Sequence, residues 1–297
     1  MKLGIIGLGK MGYNMAERLL ERKHDVVAFD VNKEAQDRAA EAGARIVDSA
    51  SLLVEALSPP RILWLMVPHD ALDAVFKDII LRVSDGDTII DGGNSPYLES
   101  MRRASELETK GIHFLDVGVS GGPDGARHGA CLMIGGDRKD YERLERLFAD
   151  LAGEHGYLYV GIHGAGHFLK MAHNAIEYGM MQAIAEGFTT LKESEFEFNL
   201  SEIADLYNHG SVVESRLIGW LAEAFEEFGE NLENVSGKVG RTGEADWALQ
   251  AAKELGVSVP VLEKAVQFRI DSEKNPTYTG KLLSAMRNRF GGHQVKA

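Results

Sequence analysis

Residues 164–188, GAGHFLKMAHNAIEYGMMQAIAEGF, place five polar side chains where they could act together. Lys170, His173, Asn174, Glu177 and Tyr178 fall at i, i+3, i+4, i+7 and i+8, the spacing of one helical face. The intervening positions, among them Leu169, Met171, Ala175, Ile176, Met180 and Ile184, are apolar around most of the circumference, which predicts a core helix. A charge buried without a partner is costly, so a polar row on such a helix needs a cleft. An amine, an imidazole, an amide, a carboxyl and a phenol in one row supply a base, an acid and hydrogen-bond donors, the equipment of proton-transfer chemistry. The bland alternative is a solvated helix face.

A second constellation lies at the start of the chain. Gly7-Leu8-Gly9-Lys10-Met11-Gly12 is a GxGxxG pattern that follows an apolar strand and opens a helix. In that setting Gly7 permits the tight turn, Gly9 lets a pyrophosphate approach the backbone, and Gly12 allows close helix–strand packing. The helix start offers backbone N–H groups and a favourable dipole to phosphate. Asp30 stands 18 residues beyond Gly12, where a carboxylate would bond a ribose 2′-hydroxyl and repel a 2′-phosphate. Val31 and Asn32 follow with no arginine beside them, and Lys33 is the one nearby cation, which favours NAD over NADP. Asp30 could instead cap the next helix.

The elements that must position these residues fall into two patterns. From 2 to about 160 strands and helices alternate: strands at 2–6, 25–29, 45–47, 62–67, 87–91, 112–118, 131–136 and 157–160, with helices over 10–23, 33–42, 49–57, 69–82, 96–110 and 138–152. Strands that are nearly continuous in apolar residues, separated by helices, predict a mostly parallel, doubly wound sheet of the Rossmann type. Residues 120–125, SGGPDG, read as a glycine-rich loop. After 164 only helical patterns occur, at 164–194, 201–209, 213–229, 244–255, 260–273 and 278–290. The expected organisation is an α/β dinucleotide-binding domain over 1–163 and an all-α domain over 164–297, ending in an extended tail.

Composition narrows the partners. The 297 residues carry a formal net charge of −13 and no basic tract, which argues against nucleic acid and acidic membrane surfaces. Cys131 is the only cysteine, so an internal disulfide and a multi-cysteine metal site are excluded; in the strand CLMIGG it reads as a small core residue. The first residues run straight into a strand and no apolar span reaches membrane length, so a cytoplasmic protein is expected.

The motifs together resemble one family. KMAHNAIEYGMMQ at 170–182, preceded by GAGHF, is similar to the active-site helix of 6-phosphogluconate dehydrogenases. DGGNS at 91–95 and DVGVSGGPDGARHG at 116–129 resemble that family's substrate loops, and RNRFGGH at 287–293 its C-terminal tail. The resemblance covers the whole chain and is to the short bacterial form, within the wider group of β-hydroxyacid dehydrogenases. It implies oxidation of 6-phosphogluconate at C3, loss of CO2 and tautomerisation to ribulose 5-phosphate, with NAD as hydride acceptor and no metal.

By that resemblance Lys170 is the base and Glu177 the acid. A lysine desolvated in a cleft is poised for such a role, because burial lowers an amine's pKa. Ser120, Gly121 and Gly122 bind the substrate's carboxylate end, and His173 and Asn174 its hydroxyls and carboxylate. Asn94 lies near both nicotinamide and substrate, and Val67 joins residues 7, 9–12 and 30 at the cofactor. Tyr178, Arg269, Arg287 and His293 take the phosphate, the last two delivered by a tail that reaches the neighbouring subunit of a homodimer or homotetramer. Long-form enzymes carry a phosphate-binding Lys and Thr where this chain has Thr242 and Glu244, leaving Lys238 or Arg241 to compensate. Two competing readings are a dehydrogenase of a small unphosphorylated β-hydroxyacid and a non-catalytic NAD-binding homologue.

Overall fold

The computed structural model describes residues 1–295, and the chain separates into two compact units, Met1–Lys170 and Met171–Ala297. The first unit alternates β1 (Lys2–Ile6), α1 (Lys10–Glu21), β2 (Asp25–Phe29), α2 (Lys33–Glu41), β3 (Arg45–Ile46), α3 (Ala50–Glu55), β4 (Ile62–Leu65), α4 (His69–Ile79), β5 (Thr88–Asp91) and α5 (Tyr97–Glu108). It continues with β6 (His113–Ser120), α6 (Gly122–His128), β7 (Ala130–Gly136), α7 (Arg138–Leu151) and β8 (Ala152–Gly161). Among the described residues the strands form one sheet in the order β3-β2-β1-β4-β5-β6-β7-β8, parallel except where β7 runs antiparallel to β6. This is the expected Rossmann architecture. The chain reverses direction across the sheet between β1 and β4, and a doubly wound sheet opens its ligand crevice at such a switch point.

Both sheet faces are covered, which is why the central strands need no polar alternation. Leu3, Ile5, Trp64, Ile90, Leu115 and Val117 pack with one helix layer; Ile6, Leu63, Leu65, Ile89 and Phe114 pack with the other. Local chemistry sets several boundaries. Asn32 and Ser49 cap α2 and α3 by accepting from the Ala35 and Leu52 amides. The cap of α2 is therefore Asn32 and not Asp30.

The remaining elements are α8 (Ala165–Lys192), α9 (Leu200–Tyr207), α10 (Arg216–Phe228), α11 (Glu244–Glu254), α12 (Pro260–Ser272) and α13 (Tyr278–Gly291). In the second unit, Met181, Ala185 and Phe188 of α8 join Leu217, Leu221, Phe225, Leu282, Leu283 and Met286 in one apolar core. Among the described residues no helix is long and apolar enough to cross a membrane.

Four sequence expectations need correction. The 120–125 segment is not all loop: α6 starts at Gly122, because Gly121 turns the chain at φ +117 and Pro123 favours a helix's first turn. Cys131 is exposed: it is the second residue of β7, ahead of the stretch from Leu132 to Gly136 that is buried on both faces. Helix α8 is not sheathed by apolar neighbours all round; Leu169, Ile176 and Met180 are exposed, while the polar row beside them is buried or half-buried. Finally, Arg287 does not belong to an extended tail. It lies inside α13 and is buried, because Leu282, Leu283 and Met286 bind that helix to its own core.

Candidate active site

The turn after β1 is shaped for a ligand that touches backbone. Gly7 has φ +97, a conformation L side chains rarely adopt. A Cβ on Gly12 would collide with the Gly7 carbonyl oxygen, so that position must stay bare for α1 to dock on the turn. Gly9 differs: a Cβ there would meet nothing within 4 Å, and the position is exposed. Open space of that kind over the N-cap of α1 suits an anion, since the first turn, formed by Lys10, Met11 and Gly12, presents its N–H groups there. Val67 borders the same turn, 3.0 Å from a Cβ placed on Gly7.

Asp30, just past β2, is held from both oxygens. Oδ2 accepts from the Leu8 amide at 2.5 Å and Oδ1 from the Asn32 amide at 2.7 Å. The carboxylate is thereby tied to the glycine turn itself. Lys33, the cation nearest in sequence, pairs with Asp37 at 2.8 Å on the exposed face of α2.

Asn94 is exposed on a short turn after β5. The turn is built by a residue that motif reading passed over: buried Asp91 accepts from the Gly93 amide at 3.1 Å and from the Ser95 hydroxyl at 2.7 Å. A carboxylate at the end of an apolar strand was the available signal. Ser120 ends β6, and Gly121 and Gly122, with φ +117 and +64, carry the chain into α6. Lys170 is buried, and its stem lies on β6: a Cβ on Gly118 would come within 2.5 Å of the Lys170 Cβ.

Beyond Lys170, α8 continues unbroken through His173, Asn174, Glu177 and Tyr178. His173 Nδ1 lies 3.1 Å from Asn174 Oδ1, and both residues are half-buried, as is Glu177. Tyr178 is buried, with no hydrogen-bond partner for its hydroxyl among the described residues. Over its ring, with Cζ 3.3 Å from the centroid, lies the guanidinium of Arg269 from α12. Burial, above all, lowers Arg269 to about 10, with a further contribution from the like charge of Arg287. Burial likewise pushes Arg287 down, opposed by the fields of Tyr178, Glu177 and Glu244. Two neighbouring guanidinium groups out of water, with burial outweighing the fields of Glu177 and Glu244, form a site suited to an anion.

The structure therefore gathers Tyr178, Arg269 and Arg287, which are far apart in sequence. It does not gather every cation considered for this end. Arg241 is exposed and bonds Asp246 at 2.9 Å, and Lys238 is exposed. Glu244, at the start of α11, is buried. His293 follows α13, its carbonyl accepting from Asn288 at 2.7 Å and its ring 6.3 Å from that of Phe290. No group of three metal-ligating side chains occurs among the described residues.

A Rossmann sheet with an open glycine turn after its first strand defines the dinucleotide-binding class. Comparison with known proteins narrows the class. Residues 2–161 match the model for the NAD binding domain of 6-phosphogluconate dehydrogenase, and residues 166–277 that for the 6-phosphogluconate dehydrogenase C-terminal domain. YqeC of Bacillus subtilis (strain 168) is 47% identical over 296 residues, spanning 100% of this chain and 99% of that protein. The NAD(+)-dependent, decarboxylating 6-phosphogluconate dehydrogenase of Haloferax volcanii is 40% identical over 297 residues, spanning 99% and 98%. The structure of the Plasmodium falciparum 6-phosphogluconate dehydrogenase superposes with a TM-score of 0.79 at 27% identity, covering 92% of this chain and 62% of that one. The chain belongs to the 6-phosphogluconate dehydrogenase family. A 3-hydroxyisobutyrate dehydrogenase from Salmonella typhimurium also reaches a TM-score of 0.79, at 19% identity, and shares the fold.

Proposed function

We propose that this chain oxidises 6-phosphogluconate at C3 and releases CO2 to give ribulose 5-phosphate, with NAD preferred over NADP. The observation that carries the substrate assignment is the buried pair Arg269 and Arg287 beside the Tyr178 hydroxyl. An unphosphorylated acid has one anionic group, and with its carboxylate held at residues 120–122 it leaves that pair without an anion. A terminal phosphate would accept hydrogen bonds from both guanidinium groups and from the phenol, relieving the cost of their burial.

NAD preference is supported by Asp30, whose two oxygens are fixed by the Leu8 and Asn32 amides. Held there, the carboxylate accepts from a ribose 2′-hydroxyl and repels a 2′-phosphate. The nicotinamide, when bound, supplies the hydride acceptor. Lys170, as the amine, takes the C3 hydroxyl proton during oxidation and is left as an ammonium. As the carboxylate leaves as CO2, that ammonium hydrogen-bonds the C3 oxygen on which negative charge develops. Glu177 returns a proton to the carbon that carried the carboxylate. It stands seven residues on along α8, about 10 Å of axial rise, so one extended substrate can meet both groups. Ser120, Gly121 and Gly122 hold the carboxylate end; Asn94, His173 and Asn174 hold hydroxyls.

The working unit is a homodimer or homotetramer in which the segment after α13, with His293, completes the phosphate site of a neighbouring subunit. Mixing His293→Ala subunits with Lys170→Met subunits tests this, because one site in each hybrid would carry neither lesion; exchanged hybrids without recovered activity would refute it.

The function is tested by following NADH and CO2 with 6-phosphogluconate, gluconate and 3-hydroxyisobutyrate. The two products should appear one for one with 6-phosphogluconate alone. NADH without CO2, or faster turnover of 3-hydroxyisobutyrate, would contradict the assignment.

A further inference from the structure

One fully buried charge in the first unit is unused by this mechanism. Asp116, on β6 between apolar neighbours, has no exposed surface. Its Oδ1 accepts from the Gly164 amide at 2.7 Å and its Oδ2 from the His167 amide at 2.9 Å. Those amides belong to the residue before α8 and to its third residue, two of the donors that a helix start leaves without intrahelical partners. Gly164 has no side chain to cap them. A carboxylate distant in sequence does so, with its negative charge at the positive end of the helix dipole.

The same strand face meets the lysine. Gly118 is two residues beyond Asp116, hence on the same side of β6, and it is the bare position against the Lys170 stem. A Cβ on Gly166 would collide with the Asp116 carbonyl oxygen, so the first turn of α8 lies directly on the strand backbone. Lys170 follows His167 by one turn, so whatever fixes the His167 amide fixes the lysine's height along β6 and its rotation about the helix axis.

We infer that Asp116 is a positioning residue for Lys170: its carboxylate pins the first turn of α8 to β6 and so sets where the amine stands. The inference rests on the reading of Lys170 as the base. Asp116→Asn keeps the shape but replaces one acceptor with an NH2 group facing an amide donor. The first turn must then shift, and misplacing a reacting group by about 1 Å costs on the order of a hundredfold in rate.

The test measures steady-state constants and the single-turnover hydride step, counted per NAD-binding site. Asp116→Asn should lower kcat and the hydride rate about ten- to a hundredfold, leaving the Kd for NAD and the KM for 6-phosphogluconate within about twofold. Gly118→Ala, which keeps the carboxylate and pushes on the Lys170 stem, should give the same split. A normal hydride rate per site in Asp116→Asn would overturn the inference. So would loss of NAD binding in both variants, since the contacts would then serve the fold and not the lysine. Lys170→Met, measured alongside, separates the two claims. If it is inactive while Asp116→Asn is normal, only the anchor is wrong; if it is active, the reading of the base fails first.

Discussion

Two regions of this protein bury charge, and they do it in opposite ways. In the first unit Asp116 is sealed from solvent, and each carboxylate oxygen receives a backbone amide. In the second unit Arg269 and Arg287 are nearly as buried, with burial outweighing the fields of Glu177 and Glu244, and the Tyr178 hydroxyl has no hydrogen-bond partner among the described residues. The first arrangement is complete without a ligand and reads as architecture. The second is incomplete and reads as recognition. The electrostatics agree: burial holds Arg269 at about 10, well below the ordinary guanidinium range. A cation whose folded pKa is depressed destabilises the unliganded fold at neutral pH, and that penalty is relieved only as pH rises through about 10 toward the ordinary guanidinium range. A bound phosphate would remove it at any lower pH.

The comparison can be broken at each end. The largest expected effect is at the lysine whose helix Asp116 pins: Lys170→Met should lower kcat by about 10²–10⁴-fold, the contribution of a positioned base, while NAD titrations remain normal. Near-normal oxidation would place the base elsewhere. Next in size, Arg269→Met should raise the KM for 6-phosphogluconate about ten- to a hundredfold, because a charge-assisted hydrogen bond is worth about 1.5–3 kcal/mol. The same substitution should raise the Tm of the unliganded chain, the reverse of what loss of a structural ion pair would do. A lower Tm would mean that Arg269 is part of the architecture.

Glu177→Gln sharpens the division of labour along α8. Rapid-quench analysis should show hydride transfer little changed and the final proton return slowed; normal enediol conversion would remove Glu177 from that role. The smallest effect is at Asp30. Asp30→Ala should reduce the NAD-over-NADP ratio of kcat/KM about tenfold, through loss of one hydrogen bond and one repulsive charge together. A wild-type preference for NADP would contradict the cofactor assignment outright.

Much of this was legible in the sequence, for identifiable reasons. The alternation of apolar strands with helices, and the glycine pattern directly after the first strand, are local signals and were enough for the Rossmann sheet. The polar row of α8 followed from helical spacing alone. What escaped were features set by distant contacts. Asp116 opens the motif DVGVSGGPDGARHG, but its amide partners at Gly164 and His167 meet it only when the chain folds. Arg287 was expected in a tail because RNRFGGH has little apolar mass, whereas the preceding turns carry Leu282, Leu283 and Met286 into the core and keep the helix going. Cys131 failed as a core residue because it stands near the start of β7, ahead of the residues that are buried on both faces.

The most direct test of the central claim is calorimetric titration of the NAD-free protein with 6-phosphogluconate and with gluconate, in wild type and in Arg269→Met. Wild type should bind the phosphorylated acid at least about tenfold more tightly than gluconate, and the variant should lose that difference. Equal affinity of the wild type for both acids, or an undiminished preference in the variant, would contradict the assignment of the buried arginine pair to phosphate.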